Sequence, residues 1–264
     1  MDDIKTAIVG CGNLGISILN GLLKTNTVKP ANLMVTRRNL SALATFSGSG
    51  VVLTSDNAAA VRESQLIILA LKPYNILKVL EDLAPDLDAG RHIIVSLATG
   101  ISLDSLHKAA GLNVRIFRAM PNTAADVGMS VTCISTDSDN RESAAIVSRC
   151  FDSIGETIMV DESLMNSATV LGACGIAYVL RFMRAMIQGG IQIGFDARTA
   201  TNIVTHTIKG AAELILERKT HPEQEIDKVT TPRGCTIAGL NEMEHNGFSS
   251  ALIKGIVTSF EEIR

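Results

Sequence analysis

The sequence predicts an α/β fold: a doubly wound, mainly parallel sheet over residues 1–160, followed by an all-α part over residues 161–264. Three observations carry this. Short apolar runs alternate with helical patterns through the first part of the chain. The runs are near-continuously apolar, as strands covered on both faces must be. After Val160 the strand signals stop, and apolar residues recur at helical spacing: Leu171, Tyr178, Phe182, Met186, then Ile203, Ile208, Ala212, Ile215.

In chain order, strands are expected at Thr6–Val9, Leu33–Val35, Val51–Leu53, Leu66–Leu71, His92–Val95 and Val114–Arg118, with further β-rich runs at Met129–Ile134 and Thr157–Val160. Helices are expected between them at Leu14–Lys24, Leu40–Phe46, Ala58–Arg62, Tyr74–Leu83, Leu103–Ala109 and Arg141–Phe151. Right-handed crossovers then place all the strand C-termini on one edge, where such folds bind ligands. In the second part, Pro222 can open a short helix, Gly247 can close one, and Ser249–Ile263 reads as a last amphipathic helix. Leu164–Phe195 is unusually apolar. A helix apolar nearly all round must be buried, and roughly 100 residues make a thin core alone. This part is therefore expected to pack against another copy of itself.

Of the 264 residues, 46% are apolar and 19% charged, and the net charge of −3 comes from interleaved acids and bases. A sizeable core follows, with neither the basic footprint of a nucleic-acid binder nor a polybasic membrane patch. The opening Met1-Asp2-Asp3 shows no basic leader, and no apolar stretch approaches the ~20 residues that span a bilayer. The expectation is a soluble, cytoplasmic protein without membrane or nucleic-acid partners. Cys11, Cys133, Cys150, Cys174 and Cys235 are odd in number and scattered, with no C-x-x-C pair, so isolated thiols and no metal site are expected.

The chemistry begins at Gly10-Cys11-Gly12-Asn13-Leu14-Gly15, a G-x-G-x-x-G that follows one strand directly and opens a helix. The first Gly makes the tight turn, the second lets pyrophosphate approach the backbone, and the third lets helix and strand pack closely. The helix N-terminus supplies free N–H groups for the phosphates. This is the Rossmann-type fingerprint; a plain glycine-rich turn is the alternative. An NAD-binding chain usually places Asp or Glu about 20 residues on, to bond the ribose 2′-OH. Here Thr36, Arg37 and Arg38 stand there instead. A hydroxyl and two guanidiniums suit a 2′-phosphate, so NADPH is favoured and NADH expected to bind more weakly. A solvated charge pair is the alternative.

Three further segments carry a family resemblance: Ala70-Leu71-Lys72-Pro73, Arg118-Ala119-Met120-Pro121-Asn122-Thr123, and Thr231 through Leu240, reading TPRGCTIAGL. With Gly10–Gly15, Ser55-Asp56-Asn57 and Ser96–Gly100, the chain resembles the Δ1-pyrroline-5-carboxylate reductases from end to end. The resemblance implies NADPH along Gly10–Gly15, Thr36–Arg38, Asn57, Ala70–Pro73, Ala98–Thr99 and Met120. It implies a helical C-terminal domain that interlocks with a second subunit, in a homodimer or a larger ring of dimers. The small cyclic imino acid would lie between the nicotinamide and Gly234, Cys235 and Thr236, with Cys174 near the pocket. Backbone N–H groups of Gly234–Thr236, at a helix start, can hold the substrate carboxylate. The Thr236 hydroxyl would bond the imine nitrogen; helix capping is the alternative reading, since Thr is a good N-cap.

Two departures from the family pattern stand out. Its serine-rich segment before a Pro-Ala-Tyr reads Leu171-Gly172-Ala173-Cys174-Gly175-Ile176-Ala177-Tyr178, and its paired glycines read Arg233-Gly234. His92, His107, His206, His221 and His245 lie apart without paired carboxylates, so none is expected to be catalytic. Two rivals remain. A β-hydroxyacid dehydrogenase shares the two-part plan but relies on a lysine in its long helix, where Leu171–Phe195 has only Arg181 and Arg184. An NADPH-binding homologue without reductase activity is the other, motivated by the altered Gly172–Ile176 segment.

Overall fold

A computed structural model describes residues 3–111 and 113–263; the opening Met1-Asp2 lies outside the described residues. The chain divides into two compact units, one running to Cys174 and the other spanning Gly175–Glu262. Residues 161–174 thus cluster with the sheet.

The first unit begins β1 (Thr6–Val9), α1 (Asn13–Lys24), β2 (Leu33–Thr36), β3 (Val52–Thr54), α2 (Asn57–Glu63), β4 (Leu66–Leu69) and α3 (Pro73–Leu83). It continues with β5 (Ile93–Ser96), α4 (Leu103–Ala110), β6 (Arg115–Met120), β7 (Ser130–Thr136), α5 (Arg141–Phe151), β8 (Gly155–Met159) and the short α6 (Met165–Ala168). Among the described residues, eight strands form one sheet in the order 3-2-1-4-5-6-7-8. The alternation of side chains along each strand divides the core between the two faces. Ile8, with Ile18, Leu22 and Phe117, buries on one face; Ala7 and Val9, with Ile67, Ile94 and Leu106, bury on the other. Fully burying one such Leu or Ile contributes roughly 2 kcal/mol, so both faces must be apolar for the layers to hold.

Two expectations are corrected. β1 to β6 run parallel, but β7 pairs antiparallel with β6 and β8 follows β7 in parallel, so the strand C-termini do not all share one edge. The connector Pro121–Met129 is the cause: a parallel crossover needs about a dozen residues, and a shorter link must return antiparallel. Leu40–Phe46 is a 3₁₀-helix and not an α-helix. Asn39 caps it by accepting from the Ser41 N–H at 3.0 Å, a local bond that favours a tight turn.

The second unit holds α7 (Gly175–Gln192), α8 (Ala197–Arg218), α9 (Pro222–Val229), α10 (Cys235–His245) and α11 (Phe248–Glu261). Pro222 stands at the first turn of α9, as its fixed φ suits, and Gly247 (φ 79°) separates α10 from α11. The Phe182 and Phe248 rings pack 5.9 Å apart, and Tyr178 donates to the Ser259 hydroxyl at 2.6 Å. Of these five helices only α8 carries buried side chains, Ala200 and Val204. Val179, Leu180, Leu252, Ile253 and Val257 are exposed.

A third expectation also falls. The helical run Glu162–Gln192, with mean hydropathy 1.6 over 18 residues, is long and apolar enough by length and composition to cross a membrane, and only 6% of that stretch is buried within the chain. Arg181 and Arg184 interrupt the apolar residues, which hides the run from a count of uninterrupted ones.

Candidate functional site: a dinucleotide cleft

The sheet order reverses between β1 and β4, and the loops at the carboxyl ends of β1 to β6 enclose a cleft of about 1070 Å³ there. A doubly wound sheet binds ligands at such a switch point, because loops leaving adjacent strands in opposite directions open a crevice. All six residues Gly10–Gly15 line it. Gly10 has φ 78°, and a Cβ there would fall 2.2 Å from Leu71 Cδ2, so only glycine makes this turn. A Cβ on Gly15 would meet Cys11 Sγ at 3.0 Å, Ile8 Cγ2 at 3.3 Å and the Ala70 Cβ at 3.4 Å, which is the close helix–strand packing expected of the third glycine. Gly12 differs: its nearest neighbour would be the Gly10 carbonyl at 4.0 Å, so its face is open. Gly12 is also the N-cap of α1, and no side chain caps that helix. An open backbone at an uncapped helix start fits a pyrophosphate.

Thr36 is fully buried. Its hydroxyl accepts from the Gly10 N–H at 3.1 Å and donates to Asn57 Oδ1 at 2.6 Å, while its carbonyl accepts from the Cys11 N–H at 2.8 Å. With its hydroxyl committed on both sides, Thr36 holds the glycine turn. That leaves the cationic chemistry to Arg37 and Arg38, both on the cleft wall. Arg37 Nη1 donates to the Cys11 carbonyl at 3.1 Å, which anchors one corner of a guanidinium that has five N–H donors in all. The Cys11 thiol is pushed up to about 12 by burial, with Arg37 opposing, so it stays a neutral packing group.

Of the other cofactor residues expected from the sequence, Asn57, Ala70, Leu71, Lys72, Pro73 and Thr99 line the cleft. Ala98 and Met120 do not; both are buried, and their places are taken by neighbours, Leu97 and Pro121. The alternation of side chains along an extended chain turns every second residue away. The Met120 sulfur instead accepts from the Thr99 hydroxyl at 3.9 Å. Sequence reasoning missed Tyr74 and Asn75, beside Pro73, and Asn122 and Thr123, at the exit of β6. It also missed Ser17, whose hydroxyl donates to the Asp126 carboxylate. Ala173 lines the cleft, while its neighbour Cys174, expected near the substrate, is not on this wall.

Gly234, Cys235 and Thr236 lie in the second unit at the start of α10. The N-cap is Gly234, not Thr236, and no side chain caps the helix, so the capping alternative for Thr236 is overturned. A Cβ on Gly234 would come 2.5 Å from Thr231 Oγ1, which explains the glycine. Arg233 holds the left-handed φ of 61° that glycine favours.

The sheet order, the open glycine face and the two arginines define a dinucleotide-binding protein of the doubly wound class. Comparison with known proteins narrows this. Residues 162–264 match the family model described as pyrroline-5-carboxylate reductase dimerisation, and residues 5–100 match one described as NADP oxidoreductase, coenzyme F420-dependent. Pyrroline-5-carboxylate reductase 2 of Dictyostelium discoideum is 39% identical over 97% of this chain and 91% of its own. Pyrroline-5-carboxylate reductase 1 of the same organism is 41% identical over 98% of this chain, which spans about half (49%) of that longer protein. The solved reductase of Coxiella burnetii superposes with a TM-score of 0.93 at 28% identity, covering 99% of this chain and 98% of its own. That of Plasmodium falciparum, solved with NADP bound, gives 0.88 at 26%, covering 99% and 97%. The chain belongs to the pyrroline-5-carboxylate reductase family.

Proposed function

We propose that this chain reduces Δ1-pyrroline-5-carboxylate to L-proline with NADPH, the last step of proline biosynthesis. The observation that carries the reading is the cleft, open at Gly12 and flanked by Arg37 and Arg38, in a chain whose likeness to reductases runs its full length. NADPH supplies the hydride. Gly10–Gly15 hold the pyrophosphate, Arg37 and Arg38 grip the 2′-phosphate, and NADH lacks that grip. The free N–H groups of Cys235 and Thr236 hold the substrate carboxylate, beside Gly234, whose own N–H is already donated to the Thr231 carbonyl at 2.9 Å; in support, α10 starts without a side-chain cap. The Thr236 hydroxyl, which makes no hydrogen bond among the described residues, bonds the imine nitrogen and keeps its proton in place. The hydride adds to the imine carbon and a proton remains on nitrogen, giving the secondary amine.

The exposed apolar side chains of α7 and α11 support a homodimer, or a ring of dimers, in which a second copy covers them. Five free cysteines, Cys174 among them, accord with a cytoplasmic setting. One observation favours the non-reducing, NADPH-binding alternative: the altered Gly172–Ile176 segment, which includes the cleft-lining Ala173. Steady-state NADPH oxidation with five- and six-membered cyclic imino acids, side by side, decides. Turnover of the five-membered ring supports the reductase; tight NADPH binding without oxidation supports the alternative.

A further inference from the structure

We propose that Asn122 is a positioning residue that ties a π-helical turn, Thr169–Cys174, to the nicotinamide end of the cleft. The tie rests on the reductase reading for its purpose and on geometry for its existence. Asn122 sits just beyond β6, lines the cleft and is only 6% exposed. Three of its polar groups face three different elements, while its carbonyl accepts from the Ala125 N–H at 3.1 Å. The backbone N–H donates to the Ser130 hydroxyl on β7 at 3.0 Å. The side-chain oxygen accepts from the Ala124 N–H at 3.0 Å and so caps the 3₁₀ turn Thr123–Val127. The side-chain nitrogen donates to the Gly172 carbonyl at 3.1 Å, inside the π-turn.

A single π-turn between two α-helical stretches is rare, and such turns are frequent at functional sites. This one separates α6 from α7 and carries Ala173 onto the cleft wall, with Cys174 next to it. Within the segment the Thr169 hydroxyl donates back to the Met165 carbonyl at 2.8 Å at the start of the turn, and holding its far end around Gly172 needs a contact from outside the helix. Asn122 supplies that contact at Gly172. The same strand anchors the start of the segment, because Arg118 Nη1 meets Glu162 Oε1 at 3.1 Å and that oxygen also accepts from the Leu103 N–H at 2.6 Å. With Glu162 and Gly172 both fixed to β6 and its exit, the phase of the helix between them is set. If the turn relaxed to α geometry, each later residue would rotate by about 100° around the axis and Ala173 would leave the cleft. The adenosine half of a dinucleotide lies over β1 and β2 and the nicotinamide half over β4 to β6. Asn122 therefore adjusts the reacting end without touching the phosphate end.

The test uses Asn122→Asp, which keeps the acceptor for Ala124 but loses the donor to Gly172. Asn122→Ser runs in parallel, since it can still cap the 3₁₀ turn but is too short to reach Gly172, and it adds no buried charge. Hydrogen exchange over residues 169–176, the NADPH dissociation constant, and kcat with pyrroline-5-carboxylate are measured on the full chain. Faster exchange in that segment is expected, with NADPH affinity within about threefold of wild type and kcat lower by roughly 10- to 100-fold, the scale of an ångström of misplacement. Unchanged exchange overturns the proposal. So does a kcat loss that merely follows a parallel loss of NADPH affinity, as general loosening would produce. If wild-type protein fails to reduce the imino acid, the functional reading falls, and exchange alone decides the tie: acceleration confined to residues 169–176 upholds it, and no change overturns it.

Discussion

Gly12 and Gly15 stand three residues apart in one turn, yet their replacement by alanine should have opposite consequences. A Cβ on Gly12 meets nothing nearer than a carbonyl at 4.0 Å, and φ −88° is open to any residue. Replacing glycine by alanine at an N-cap costs about 0.5–1 kcal/mol, and stiffening the unfolded chain returns about 0.4–1 kcal/mol, so Gly12→Ala should melt within about 2 °C of wild type. The added methyl projects into the path of the pyrophosphate, however. Displacing one or two phosphate hydrogen bonds, each worth about 1.5–3 kcal/mol, predicts a rise in NADPH dissociation constant of at least tenfold. Gly15→Ala instead drives a methyl to 3.0 Å from Cys11 Sγ and 3.3 Å from Ile8 Cγ2, both in the packed core. Overpacking of this kind costs roughly 1–3 kcal/mol, a loss of about 4–8 °C in Tm at the midpoint of that range. Thermal melts without nucleotide and fluorescence titration with NADPH separate the two. Wild-type NADPH affinity in Gly12→Ala would refute the placement of pyrophosphate at this turn, and an unshifted Tm in Gly15→Ala would refute the packing argument.

Other substitutions reach other parts of the account. Thr236→Ala should lower kcat/KM roughly 10- to 100-fold, the value of one transition-state hydrogen bond, and unchanged kinetics would remove Thr236 from the site. Replacing Arg37 and Arg38 by Ala should raise KM for NADPH far more than for NADH; equal effects on both would refute the 2′-phosphate assignment. Arg233→Gly should raise stability by about 0.5–1 kcal/mol in denaturant melts, because relief of roughly 1–2 kcal/mol of strain at the left-handed φ of 61° outweighs the added freedom of the unfolded chain. His92 is fully buried, and burial, then Arg91, lowers its pKa. The folded state thus resists protonation more than the unfolded state. Its stability contribution is complete above the unfolded value of about 6.5 and is lost as pH falls below it. Urea midpoints measured from pH 7 to pH 5 should fall more steeply for wild type than for His92→Gln.

Much of this fold is legible in the sequence because its signals are local. β1 and α5 begin and end where apolar periodicity places them, and the glycine fingerprint announces the turn between β1 and α1. What escaped depends on contacts between distant residues. The reversal at β7 follows from a connector too short for a crossover, which becomes visible only once β6 and β7 are known to be neighbours. The π-turn has no sequence signature, since it is held by an asparagine about 50 residues away. Within the site, family resemblance places Ala98 and Met120 on the cleft wall, and the alternation of side chains along the extended chain turns each inward. Thr36 lines the cleft as its position predicts, but its hydroxyl is used by Gly10 and Asn57, neither adjacent in sequence.

Transfer of deuterium from NADPH labelled at both C4 positions, followed by mass and NMR analysis of the product, tests the central claim most directly. The account predicts L-proline carrying one deuterium on the ring carbon next to nitrogen and remote from the carboxyl group. Nucleotide bound in the cleft with no labelled proline formed, or proline free of deuterium, would contradict it.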